Sequence, residues 1–278
     1  MRYQIDHDLH IHSYLSLCSP SGRQTPQKIL DYALSEGLST VVLTDHYWDE
    51  RVPGASFTGP FLSEFAIWYS MQNTARTDLA LPLPQADGVR FLYGCETEMD
   101  KYFRIGISDE EMKRRDFIII PTTHLHMGGF TLECDQNSER DRAELWVQRF
   151  DALLEKDLPF HKIGVAHLTC SLFSPEKTPE STLKCLSLIK DGDMKRLFAK
   201  AAKLGVGIEL NVSAWEVEET ALTQTLRPYR IAAECGCKFY LGSDAHAPAD
   251  LSLANPARLV ELLGLDESQK FKIITCYP

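Results

Sequence analysis

Short apolar blocks recur along the chain, separated by longer stretches with helical spacing. The blocks are Thr40–Thr44, Val89–Tyr93, Asp116–Ile120, Lys162–Ala166, Gly205–Leu210 and Lys238–Leu241, preceded by an alternating run from Tyr3 to His12. Near-continuous apolar runs of this length read as strands buried on both faces. Between them, Thr25-Pro26 is an N-cap followed by proline at the first helical position. Ile29, Leu30, Ala33 and Leu34 give that helix its apolar face, and Gly37 ends it. Further helices are predicted over Ser138–Leu154, Thr182–Leu204 and Pro256–Leu263, with one ending near Cys235-Gly236 and a short polar one after Glu96. The tail Phe271–Cys276 is apolar enough for one more strand.

Seven strand–helix units imply a parallel sheet covered by helices. The fold class is therefore α/β, as a distorted TIM-like barrel one unit short of the usual eight. An open doubly wound sheet is the alternative, but no G-x-G-x-x-G follows the first strand. The segment at about 47–88 lacks clear periodicity. It holds a helix around Phe61–Gln72 and the run Leu81-Pro82-Leu83-Pro84. It reads as an insertion over the active-site face of a single domain spanning 1–278.

Polar residues mark the ends of these strands. Residues two apart in a strand share a face, so Asp8, His10 and His12 should point one way, with Leu9 and Ile11 the other. Two imidazoles so placed can bind one ion, and Asp8 can orient a ring from behind. His12, His46, Glu96, His124, His167, Asn211, Asp244 and His246 all fall at or just past a strand's C-terminal end. In a barrel those ends converge on one mouth, which gathers a His/Glu/Asp set suited to divalent metal. His161 precedes its strand and belongs to the opposite face. His7 has the wrong parity. His126 shares parity with His124 if the strand continues, but Gly128-Gly129 indicates a turn.

Composition narrows the function classes. The formal net charge of -10 over 278 residues disfavours long nucleic-acid contact. Eight scattered cysteines include no C-x-x-C pair, and no apolar run approaches membrane-spanning length. These features fit a cytoplasmic protein in a reducing compartment.

The motifs Asp8-x-His10-x-His12, Thr44-Asp45-His46, Gly94-x-Glu96, Thr123-His124, Ala166-His167, Glu209-x-Asn211 and Gly242-Ser243-Asp244-x-His246, in this order, resemble the PHP (polymerase and histidinol phosphatase) family. The resemblance implies a seven-unit barrel and two to three divalent ions (Zn, Mn or Fe). It also implies a phosphoesterase of the histidinol-phosphate-phosphatase kind, which hydrolyses a small phosphorylated metabolite through a metal-bridging hydroxide. It assigns one ion to His10, His12, Glu96 and Asp244, and a second to Glu96, His124 and His167. A third goes to His46, His246 and a residue of the loop after His12. Cys18 stands where relatives often carry a His. Asp45 or His246 is the candidate to protonate the leaving alkoxide or steer a water; Arg23 and Arg104 are candidates to clamp the phosphate, with an ordinary surface role the favoured alternative. The arginine expected near Asn211–Trp215 is missing. Rival readings are an amidohydrolase-type metal hydrolase, a nuclease acting on DNA ends, and a non-catalytic metal-binding protein. The early Glu96 and the terminal Asp-x-His favour the phosphoesterase, and the absence of a basic track argues against the nuclease.

Overall fold

Each apolar block pairs with its neighbour in one parallel sheet. The structure, a computed structural model, describes residues 1–19, 23–58 and 63–273. Its strands are β1 (His7–Ile11), β2 (Thr40–Leu43), β3 (His46–Tyr47), β4 (Arg90–Thr97), β5 (Phe117–Ile119), β6 (Ile163–Val165), β7 (Gly207–Leu210) and β8 (Lys238–Leu241). The order is β1-β2-β4-β5-β6-β7-β8, with the two-residue β3 on β4 beyond the end of β2. The ring nearly closes because β1 reaches the chain just after β8: Asp244 N donates to His10 O at 2.8 Å and His12 N to Ala245 O at 3.0 Å. The result is the α/β barrel of seven parallel strands that the block pattern implies.

Two apolar layers hold it. Leu9, Val42, Phe117, Ile119, Ala166, Tyr240 and Phe271 fill the barrel. Outside, Ile118, Val165, Ile208 and Leu241 pack under the helices. The helices are α1 (Pro26–Ser35), α2 (Glu64–Ser70), α3 (Thr74–Thr77), α4 (Asp109–Arg114), α5 (Glu139–Leu154), α6 (Pro179–Leu188), α7 (Asp191–Leu204), α8 (Glu219–Glu234) and α9 (Ala254–Leu263). Their starts follow ordinary capping chemistry. Thr25 accepts from Lys28 N with Pro26 following it, and Ser138 forms a capping box with Asp141. Among the described residues no helix is long and apolar enough to cross a membrane.

The structure departs from the sequence reading in four places. In β1 the register is irregular between Asp8 and Ile11. A one-residue irregularity reverses side-chain parity. Asp8 therefore meets Tyr32 of α1, away from the ring of ligands, while Leu9 joins the inner layer and Ile11 the outer one. The helix expected over Thr182–Leu204 is two, because Ile189 and Lys190 adopt extended backbone between α6 and α7. The strand expected to stop at Tyr93 runs on to Thr97, since β3 pairs with its end in the register His46–Glu96. Within the insertion only Glu64–Ser70 of the expected first helix is helical among the described residues; Phe61 lies outside them. The tail's residues beyond 273 also lie outside, and Phe271 packs into the barrel with its N–H on Phe239 O at 2.8 Å.

Glycine makes the inner layer possible. A Cβ on Gly164 would lie 2.5 Å from Tyr240 Oη and 2.6 Å from the Phe117 ring. Gly164→Ala should lower unfolding free energy by about 1–3 kcal/mol through overpacking. Gly192→Ala in α7, where nothing lies within 4 Å of the added carbon, should leave stability equal or slightly higher. Denaturant titration of both variants checks the pair.

Candidate metal centre

The strand ends do converge. His10 Nε2 lies 3.0 Å from His12 Nε2, 3.4 Å from Asp244 Oδ1 and 3.5 Å from Glu96 Oε2. Glu96 has one oxygen on each side of the cage. Its Oε2 is 3.3 Å from His12 Nε2 and 3.0 Å from His46 Nδ1, and its Oε1 is 3.2 Å from His167 Nε2. His124 stacks on His167 with ring centroids 5.0 Å apart, and His246 on His12 at 4.1 Å. Four donor groups of ion-binding size result among the described residues: His10, His12 and Glu96; Glu96, His124 and His167; His12, His46 and His246; and His10, His167 and Glu209.

A carbonyl, carboxylate or hydroxyl behind a ring fixes which nitrogen carries the lone pair a ligand needs. Four rings are set this way. His10 Nδ1 meets Glu209 Oε1 at 2.6 Å. His124 Nδ1 meets Glu98 Oε1 at 2.5 Å. His246 Nδ1 donates to Asp244 O at 2.9 Å. His12 Nδ1 donates to Ser16 Oγ at 3.0 Å, and that hydroxyl donates to Asp45 Oδ1 at 2.6 Å. In each the Nε2 is the nitrogen left to face an ion, once any proton on it is given up. The remaining atoms fit the same purpose. Glu96 Oε2, Asp244 Oδ1 and His46 Nδ1 are buried and find no hydrogen-bond partner in the protein, although all three sit among donor atoms. Buried polar atoms left so are costly unless something else satisfies them. A divalent cation among these N and O donors would do so.

Charge is concentrated here. Burial pushes the His10 imidazole down, but Glu209, Asp244 and Glu96 together hold it well above its ordinary value. His167 is likewise raised to about 9 against burial, by Glu209 first and then Asp244. Burial would raise Glu96, yet His46 and His10 hold it well below the usual carboxylate range. His246 is held at about 3, by burial and then by His12.

Backbone strain marks two of these positions. His167 and Asp244 adopt left-handed conformations, with φ of 58° and 55°. Non-glycine residues persist there only when the surroundings over-determine them. His167 N donates to Glu209 Oε2 at 3.1 Å and its carbonyl accepts from Thr123 Oγ1 at 2.8 Å. Asp244 is tied by its N–H to β1.

Several sequence assignments change. Asp8 orients no imidazole; its Oδ1 accepts from Ser243 N at 3.0 Å and His10 N at 3.3 Å. Glu209 has the job expected of Asp8. Gly242 makes room for it, since a Cβ there would collide with the Glu209 carboxylate. Asp45 is enclosed by Ser13 and Ser16, accepting from the N–H and hydroxyl of both. It lines no cavity. Cys18 lines the cavity mouth but belongs to none of the donor groups; His12 takes that place beside His46 and His246. Asn211 lies past β7 and contributes to none of them either. Arg104 pairs with Asp100 at 2.7 Å, and Arg23 is exposed; neither lines the cavity. His161 lies in a separate surface hollow with Asp109 and Lys162.

Sequence reasoning missed Glu98, Ser16 and Tyr69. Glu98 was legible in principle: it follows Glu96 at strand spacing. Tyr69 belongs to the insertion and donates to Glu98 Oε1 at 2.9 Å. The cavity above the cage has a volume of about 460 Å³. Its floor is the donor set, and α2 supplies Phe65, Trp68 and Tyr69 to its wall.

No family model matches the chain, and no curated protein matches it in sequence. A crystal structure of histidinol phosphate phosphatase from Lactococcus lactis subsp. lactis Il1403, complexed with zinc, L-histidinol and phosphate, superposes with a TM-score of 0.54. It is 15% identical, and the match covers 96% of this chain and 98% of that one. At that identity the likeness shows the fold, a TIM-like barrel of the kind found in PHP-type phosphatases.

Two outcomes follow from the geometry. Glu209→Gln should weaken divalent-ion affinity by about 10–100-fold while the protein stays folded, measured by competition with a chromogenic chelator. His10 and His167 are raised, so they carry protons at pH 7 in the ion-free protein and give them up to an ion. Metal binding at pH 7 should therefore release protons, and ion affinity should rise as pH rises toward about 9. Calorimetry in buffers of different ionisation enthalpy counts those protons; a heat independent of buffer would contradict the charge assignment.

Proposed function

We propose that this chain is a metal-dependent phosphoesterase releasing inorganic phosphate from a small phosphate monoester, in the manner of histidinol-phosphate phosphatases. The observation that carries this reading is Glu96, whose two oxygens serve two adjacent donor groups. Neighbouring ions bridged by one carboxylate suit in-line displacement at phosphorus. When bound, divalent ions acidify a water and take up charge on the phosphoryl oxygens.

The chain's residues divide the remaining work. His10, His12, Glu96 and Asp244 would hold one ion. Glu96, His124 and His167 would hold a second. His46 and His246, with His12 beside them, would supply a third position. Glu209, Glu98 and the Asp45–Ser16 pair fix the rings so that little rearrangement accompanies binding. Of the two candidates for protonating the leaving oxygen, Asp45 is sequestered behind Ser13 and Ser16, so its part is positional. His246 faces the cavity with Nδ1 on a carbonyl, a state suited to ligating or accepting a proton. Among the described residues no Lys or Arg lines the cavity, so the chain itself offers a phosphoryl group no cationic side chain there, and bound ions would supply that charge.

Asp244→Ala and Glu96→Ala should each reduce hydrolysis of an aryl phosphate to background while far-ultraviolet circular dichroism stays native. Chelation should silence the wild type, and added Zn or Mn should restore it. Release of phosphate separates this reading from the amidohydrolase alternative, which predicts ammonia or amine instead. Full activity in both variants would refute the scheme.

A further inference from the structure

Resting on the phosphoesterase reading, we infer that the cavity selects monoesters whose leaving group is planar, apolar and without a second negative charge, held by Phe65 and Trp68 and read at its edge by His126. The argument begins with what the lining contains beyond the cage. Phe65, Trp68, Met127 and Leu172 present apolar surface, and the exposed polar component is small. Pockets of this kind hold flat apolar groups by area and use a few polar atoms for orientation.

The aromatic wall is built against the cage. Trp68 meets the edge of the His46 ring at 5.4 Å between centroids. Phe65 meets His126 at 5.9 Å in an edge arrangement, and His126 meets His124 at 5.5 Å. A leaving group attached to a phosphoryl centre on the floor therefore extends along Phe65 and Trp68. Offset or edge packing of a planar group on such rings adds about 0.5–1.5 kcal/mol beyond the area buried.

Charge then selects. The one charged side chain of the lining outside the donor set, among the described residues, is the carboxylate of Glu64. Lys177 and Arg142 act on His126 through space, but neither lines the cavity. A second phosphate or a carboxylate on the leaving group would lose its hydration and meet Glu64 with no cation to pair with. His126 lines the cavity and belongs to no donor group. Its ring edge can exchange a hydrogen bond with a ring heteroatom or hydroxyl of the substrate.

The test uses the metal-replete full chain and three phosphates with alkoxide leaving groups, so that intrinsic reactivity is comparable. These are 2-phenylethyl phosphate, glycerol 3-phosphate and 3-phosphoglycerate. Phosphate release should favour 2-phenylethyl phosphate over glycerol 3-phosphate by about tenfold or more in kcat/KM, with 3-phosphoglycerate poorest. Trp68→Ala should lower kcat/KM for 2-phenylethyl phosphate about tenfold more than for glycerol 3-phosphate, mostly through KM, with metal content per chain unchanged. His126→Ala should show the same bias more weakly. Equal use of the three esters, preference for 3-phosphoglycerate, or equal losses in Trp68→Ala would overturn the inference while leaving the phosphoesterase reading intact. No phosphate from any ester would refute both.

Discussion

The contact between Glu209 and His10 organises this molecule. It is a carboxylate and an imidazole, both wholly excluded from water, 2.6 Å apart inside a barrel. Burying one carboxylate is costly, and Glu96 and Glu98 lie buried beside it. The barrel carries that negative charge only because counter-charge is close. His10 and His167, both held above their ordinary values, supply it. Divalent cations bound as proposed would supply more of it and displace the protons. The demand for positive charge at the mouth comes from buried carboxylates behind the rings.

The same carboxylate also limits the backbone. Glu209 reaches across from β7 to orient His10 on β1 and to hold the strained N–H of His167 after β6. Gly242 has no side chain so that this reach is open. Arg149 of α5 does the corresponding work on the other flank. It is fully buried and donates to the carbonyls of Met99, Thr122 and Thr131, at 2.7, 3.1 and 2.8 Å, which ties the chain after β4 to the chain after β5. Ligand positions are therefore fixed by buried polar bridges between neighbouring strand ends, and the loops have little freedom to relax away from one another.

Much of this arrangement was legible in the sequence. Apolar blocks at regular spacing gave the strands, because a parallel sheet buries both faces and leaves no alternation to interpret. Polar residues at block ends gave the cage, because barrel topology converts position along a strand into proximity. What was not legible depends on registers and reach. The irregularity in β1 turns Asp8 toward Tyr32, and strict alternation cannot reveal it. The pairing of His46 with Glu96 comes from a two-residue strand too short to leave a periodic signal. The sequence leaves Asp45 and His246 as equal candidates for moving a proton. The four hydrogen bonds of Asp45 to Ser13 and Ser16 arise from a turn in the first loop that a polar sequence does not specify. Glu209 is visible as a lone charge in an apolar strand, the pattern a buried carboxylate with a partner leaves.

The ring of donor atoms and the wall of the cavity rest on different parts of the chain. The clustered donor atoms come from strand ends, where closure of the ring and the buried bridges fix distances. The cavity wall comes from α2, seven residues long and carried by a segment outside the repeating units. It touches the cage through few contacts, chiefly Tyr69 on Glu98 and Trp68 on His46. Substitutions in α2 can alter the cavity's shape and charge without disturbing any strand. Substitutions at Glu209 or Gly242 cannot avoid disturbing the ligands. Loops borne on a rigid barrel face vary in this way because the scaffold's stability does not depend on them. On the phosphoesterase reading, a chain so constructed would keep one reaction class while the group beside the phosphorus changes, since the two would be recognised by parts of the molecule with separate structural support.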